Sequence, residues 1–170
     1  MKKIVTRLLG LTAIALACGT VSAGEIAVIV KTVNSTFWQN VNKGAEDAIK
    51  DVKGHTMTFS GPASESAIAE EVNLVENAVN RKVAGIVLAP SDPDALIPAL
   101  KKAWEARIPV VLIDSMVSDA GKNYYQSFLS TDNMLAGELC AKQLIARIGT
   151  TGKIAVMSYV AGAGSEIGRV

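Results

Sequence analysis

The chain has 170 residues, 49% of them hydrophobic and 19% charged, with a formal net charge of +1. That balance is ordinary for a globular protein and supplies no basic surface for nucleic acid. With Cys140 the only cysteine beyond residue 23 and His55 the only histidine, a multi-residue Cys/His zinc site is excluded, no metal or cofactor is expected, and a His-dependent triad would have to be built on His55.

Residues 1–23 have the order of a secretory signal: Lys2, Lys3 and Arg7, an apolar run over 8–17, then Val21-Ser22-Ala23 with small residues at the cleavage-reading positions. The run falls short of the ~20 residues of a bilayer span. The expectation is therefore an exported, soluble chain starting near Gly24, with Cys140 as its only cysteine and no intramolecular disulfide. A second reading ranks below it. Ala15-Leu16-Ala17-Cys18 resembles a bacterial lipoprotein cleavage site with the apolar residue one place off.

From residue 24 onward, short β-rich runs alternate with helical patterns, the signature of βαβ units and a parallel sheet. Residues 25–30 predict a strand. Phe37, Val41, Ala45, Ala48, Ile49 and Val52 follow at helical spacing, with Thr36 and Gln39 as a capping box. A weaker strand over 55–60 precedes a helix over about 66–80, striped by Ile68, Val72, Val75 and Val79. Residues 83–88 predict the third strand. Ser91-Asp92-Pro93-Asp94 predicts a helix start, with Asp92 capping and Pro93 at the first helical position, and the helix runs to about Ala106. The continuous apolar run 109–113 predicts a fourth strand buried on both faces. An extended segment over 124–129, a helix over 134–148, a strand over 154–158 and a loop over 161–165 complete the chain. A new βαβ layer thus begins and is not closed, so residues 132–170 are expected to be an incomplete start of a second lobe.

In an open parallel sheet, ligands bind outside the carboxyl ends of the strands. Phe37 and Trp38 are adjacent, about 100° apart on a helix, so one ring packs inward and the other projects over the sheet edge. A projecting ring suits the C–H face of a sugar, and two hydrophobic anchors for the helix are an equal alternative. Asp114, ending the fourth strand, can accept two hydroxyl hydrogen bonds or cap the following turn. Lys31 can donate to a ligand oxygen or stand solvated in its loop. Arg169 offers the five donors of a guanidinium for clamping vicinal hydroxyls. Gly162, Gly164 and Ser165 lack both the Gly-Lys-Ser/Thr ending of a phosphate loop and the dinucleotide spacing.

Val30-Lys31-Thr32-Val33-Asn34-Ser35-Thr36-Phe37-Trp38 with Gly44-Ala45, Gly85-Ile86-Val87-Leu88-Ala89-Pro90 with Asp94-Ala95, Ile108-Pro109-Val110-Val111-Leu112-Ile113-Asp114, and Thr131-Asp132-Asn133 together resemble the periplasmic sugar-binding proteins of the ribose and allose type that feed ABC importers. The resemblance implies an α/β fold of the periplasmic binding protein type I: a Rossmann-like lobe over 24–131, and the truncated start of a similar lobe over 132–170, with the hinge near Thr131. It implies ligand contacts from Lys31, Ser35, Phe37, Trp38, Asp114, Ser115 and Arg169. Ser35 stands where asparagine is usual, Ala89 where ribose binders have asparagine, and Ser115 where they have arginine. Those departures point away from ribose toward a hexose such as allose.

The function implied is capture of a monosaccharide in the periplasm, without catalysis, for an ABC permease in the inner membrane and for a chemoreceptor, the chain itself standing as a fragment that has lost part of its site. Two other classes compete. A regulator lobe of the lactose-repressor class would open with a basic helix-turn-helix, where this chain opens with an export signal. An exported carbohydrate-active enzyme would need a positioned acid and base, and Asp114 has no convincing carboxylate partner.

Overall fold

A computed structural model describes residues 24–170. The signal segment expected over residues 1–23, with Cys18 and the cleavage position, lies outside them. Five strands, β1 (Glu25–Ile29), β2 (Thr56–Ser60), β3 (Gly85–Leu88), β4 (Val110–Ile113) and β5 (Ser127–Leu129), form one sheet in the order β2-β1-β3-β4-β5. Every pairing is parallel, with Ile29 opposite Leu88 and Leu88 opposite Leu112 at the carboxyl ends. Helices α1 (Thr36–Ile49), α2 (Ile68–Arg81) and α3 (Ile97–Glu105) connect the first four strands. Two more helices follow the sheet, α4 (Asn133–Ile148) and α5 (Gly164–Arg169).

Period-two alternation along the strands divides the core into two layers. Ala27, Ile29, Ile86, Leu88, Val110 and Leu112 face Val75 and Ala78 of α2 and Ala99, Leu100 and Ala103 of α3. Val28, Val30 and Ala89 face the other way, packing with Trp38, Val41 and Ala45 of α1. Fully burying a side chain of the Val, Leu or Ile class contributes roughly 1.5–3 kcal/mol. These two layers therefore hold the carboxyl ends of β1, β3 and β4 in fixed register.

Several expectations are corrected. β4 is fully buried on one face only: Val110 and Leu112 are buried, Val111 and Ile113 half-buried. The reason is that α2 and α3 cover one face, while α1 packs mainly on Val28, Val30, Met57 and Phe59 at the far side of the sheet. The third helix starts at Ile97 rather than Pro93. Asp92 Oδ1 instead accepts from the amides of Asp94 at 2.9 Å and Ala95 at 2.8 Å, capping a turn before the helix. The cap of α1 is Ser35, whose hydroxyl accepts from the Trp38 amide, while Gln39 Nε2 donates to the Val33 carbonyl. The cap thus lies one residue earlier than the spacing suggested, Trp38 stands at the third helical position, and no capping box forms.

The largest departure is at residues 154–158, which form no strand and are exposed. A parallel strand needs a neighbour to receive its amides and carbonyls, and none of the described strands adjoins this segment. Residues 161–165 are only partly loop, since α5 begins at Gly164. Helix α4 buries none of its residues, and Met134, Leu139, Ile145 and Ile148 stand exposed on it.

Candidate functional site

The strand order reverses between β1 and β3, so the crevice outside their carboxyl ends is where an open α/β sheet takes a ligand. Lys31 follows β1, Ala89 to Ser91 follow β3, and Asp114 and Ser115 follow β4. Lys31 is 1% exposed, which disposes of a solvated loop lysine. Its Nζ donates to Asp114 Oδ2 and to Ser115 Oγ, both at 2.7 Å. Ser115 Oγ donates in turn to Asp114 Oδ2 at 3.2 Å. An ammonium has three donors, so one N–H of Lys31 remains beyond these two bonds.

Taking an ion pair out of water costs several kcal/mol per ion before attraction and hydrogen bonds offset it. The pair survives here because Ser115 adds a further bond and because Asp114 keeps 21% of its side chain exposed. Asp114 also adopts a left-handed backbone with φ of 63°. Asp and Asn tolerate that region better than most residues, and Ser130 Oγ supports it by donating to the Asp114 carbonyl at 2.7 Å. Oδ2 takes both internal donors, which leaves Oδ1 for an incoming hydroxyl. The arrangement is a fixed acceptor backed by a fixed cation.

The aromatic pair divides as the helical geometry requires. Trp38 is 2% exposed, and its indole N–H donates to Glu65 Oε1 at 3.0 Å. Phe37 is 59% exposed, with its ring centroid 4.9 Å from that of Trp38 in an edge-to-face arrangement. Phe37 is thus the ring with an open face, and Trp38 props it from behind. Ser35 is committed to capping α1.

Arg169 stands apart from the Lys31 cluster, on α5. Its Nε donates to Asn133 Oδ1 at 2.7 Å, one of five guanidinium donors. The two places are nonetheless adjacent through the backbone of α5. A Cβ added to Gly164 would lie 3.3 Å from Ser115 Cβ, and one added to Gly137 of α4 would lie 2.4 Å from the Arg169 carbonyl oxygen. Small residues let α5 sit between the end of β4 and the start of α4. A cavity of about 880 Å³ opens there, with Glu65, Ser165, Glu166 and Arg169 in an otherwise mostly apolar lining. Lys31, Phe37, Asp114 and Ser115 lie outside that lining, so the polar cluster and the cavity are neighbours rather than one chamber.

Three site residues escaped the reading of the sequence. Glu65 is an ordinary loop carboxylate until the fold brings Trp38 to it. Asn133 was part of a noted motif, but its partnership with Arg169 spans 36 residues. Glu71 is fully buried within α2. Its signal was present, because position 71 lies on the same helical face as Val75 and Ala78, where a carboxylate is out of place.

Residues 26–169 match the periplasmic binding protein domain. The D-allose-binding periplasmic protein of Escherichia coli K12 is 30% identical over 158 residues, covering 89% of this chain and 50% of that protein. An ABC transporter solute-binding protein from Agrobacterium vitis, solved with bound D-fucose, is similar at 75% identity and a TM-score of 0.85, over 86% of this chain and 50% of that one. A carbohydrate transporter solute-binding protein from Agrobacterium radiobacter, solved with D-arabinose, follows at 31% identity and a TM-score of 0.78, over 88% and 51%. The chain spans about half the length of these relatives.

Proposed function

The chain belongs to the periplasmic binding protein domain family, and from that premise we propose that it captures a monosaccharide in the periplasm for an ABC permease in the inner membrane. The observation that carries this reading is the Lys31–Asp114–Ser115 cluster at the carboxyl ends of β1 and β4, with the open ring of Phe37 on the segment that follows β1. A carboxylate oxygen fixed by a buried ammonium suits a ligand rich in hydroxyls and poor in charge. An exposed aromatic ring suits the apolar face of such a ligand.

The ligand class is a hexose. The similar Agrobacterium vitis protein was solved with D-fucose, and at position 115 a serine, its hydroxyl spent on Lys31 and Asp114, stands where ribose binders have arginine. In this reading Lys31, Phe37, Asp114 and Ser115 form the first-lobe half of the site. Trp38 and Ser35 hold the segment that carries Phe37, and Arg169 contributes from the start of a second lobe, residues 132–170. Sugar contacts made by both lobes favour the closed form, and that population is what a permease, or a chemoreceptor, distinguishes.

The test is calorimetric titration of D-fucose, D-allose and D-ribose into this chain and into a chimera continued after residue 170 with the second half of the Agrobacterium vitis protein. Saturable hexose binding, tighter in the chimera and weaker for ribose, is the expected result. Absence of binding by both proteins to all three sugars would refute the proposal.

A further inference from the structure

We propose that Glu71 is a proton-carrying positioning residue that braces the loop after β3 against the Lys31–Asp114 cluster, and that capture of a sugar draws a proton from solvent onto it. The first half stands on the structure of the chain, and the second rests on the sugar-capture reading.

Glu71 sits in the first turn of α2, on the buried face that also carries Val75 and Ala78, and none of its surface is exposed. Its Oε2 accepts from the Ser91 amide at 3.1 Å, in the loop leaving β3. Its Oε1 is buried without a partner, and so is the hydroxyl of Ser91. Two charged groups face it from other elements. Lys31, at the end of β1, attracts the ionised form, and Glu65, in the loop before α2, repels it. Lys31 already serves Asp114 and Ser115. With Glu71 ionised, one buried cation therefore stands against two carboxylates, and with Glu71 protonated the cluster is balanced.

Burial pushes the Glu71 carboxyl up to about 7, with the contacts to Ser91 and the charge of Lys31 holding it back and Glu65 adding to the rise. Protonated, the acid carries no buried charge, which is the state its burial and its unpartnered Oε1 favour. Ionised, Glu71 leaves a buried charge half-partnered, and the Ser91 loop must loosen to admit water. A neutral sugar seated over Lys31 and Asp114 excludes water from the strand ends and shifts Glu71 further toward its protonated form. By linkage, affinity is then higher below neutrality than above it.

The experiment uses the full chain and the variant Glu71→Gln, which keeps the shape, accepts the Ser91 amide and carries no proton to release. Without sugar, infrared difference spectra between about pH 6 and about pH 8 should show the wild type losing a protonated-carboxyl band that Glu71→Gln lacks. With D-fucose, the wild type should bind about three- to tenfold more weakly at about pH 8 than at about pH 6, taking up a proton near neutrality, while Glu71→Gln keeps the low-pH affinity at both. A wild-type spectrum without that band, or one shared by Glu71→Gln, overturns the brace. Sugar binding with no proton uptake overturns the coupling. If D-fucose binds neither protein at either pH, the coupling is overturned, and the infrared comparison still decides whether Glu71 carries the proton.

Discussion

Lys31 and Asp114 are 83 residues apart in sequence and meet at 2.7 Å across the ends of β1 and β4, the lysine side chain 2% exposed and the aspartate 21%. Removing one member leaves the other without its counter-charge in a largely dry place. Lys31→Met should therefore destabilise the chain by about 3 kcal/mol, a typical cost for breaking such a pair. The double variant Lys31→Met with Asp114→Asn should cost clearly less than the sum of the single variants, and denaturant titrations of all four proteins measure that coupling.

Phe37 and Trp38 should separate binding from folding. Phe37→Ala is expected to leave the denaturation midpoint nearly unchanged and to weaken hexose binding about tenfold, the ring being exposed. Trp38→Ala removes a buried ring and strands the Glu65 carboxylate, so it should cost about 3–5 kcal/mol of stability. Urea unfolding beside sugar titration distinguishes the two.

Glu71 gives stability a pH dependence of definite sign. Its carboxyl is raised from 4.5 to about 7 on folding, so the folded chain holds this proton where the unfolded chain has released it. The stability it lends is complete below 4.5 and is lost as pH climbs through about 7, a span worth about 3 kcal/mol. Unfolding free energies at successive pH values should decline across that window in the wild type, and Glu71→Gln should remove this part of the decline.

Gly137→Ala would place a methyl group 2.4 Å from the Arg169 carbonyl oxygen. Because the opposing atom belongs to backbone, α5 must move away. Hydrogen exchange should show protection lost over α5 and its approach while the amides of β1 and β3 keep theirs. Equal protection of α5 in both proteins would contradict the packing described.

The strand–helix alternation was legible because β1, β3 and β4 are short apolar runs and α1 and α2 carry helical stripes. The strand-end rule then pointed to Lys31 and Asp114 without revealing that they touch, since that contact depends on the sheet order. The split of Phe37 from Trp38 followed from helical geometry. Which ring turns inward did not, because the acceptor for the indole is Glu65, 27 residues away. Asp92 misled because a side chain that caps a turn has the same local sequence as one that caps a helix. Residues 154–158 have the composition of a strand, yet a strand is defined by its neighbours. Glu71 was passed over because carboxylates are ordinarily exposed, although its helical position carried the contrary signal.

The central claim is that the Asp114 carboxylate, fixed by Lys31, receives a sugar hydroxyl. Titration of D-fucose into the chimera with a complete second lobe, and into the same chimera carrying Asp114→Ala, tests it most directly. The account predicts saturable binding of one sugar per chain in the first and a loss of about a hundredfold or more in the second, the scale of a charge-assisted hydrogen bond together with its stranded lysine. Equal affinity in the two proteins would contradict it.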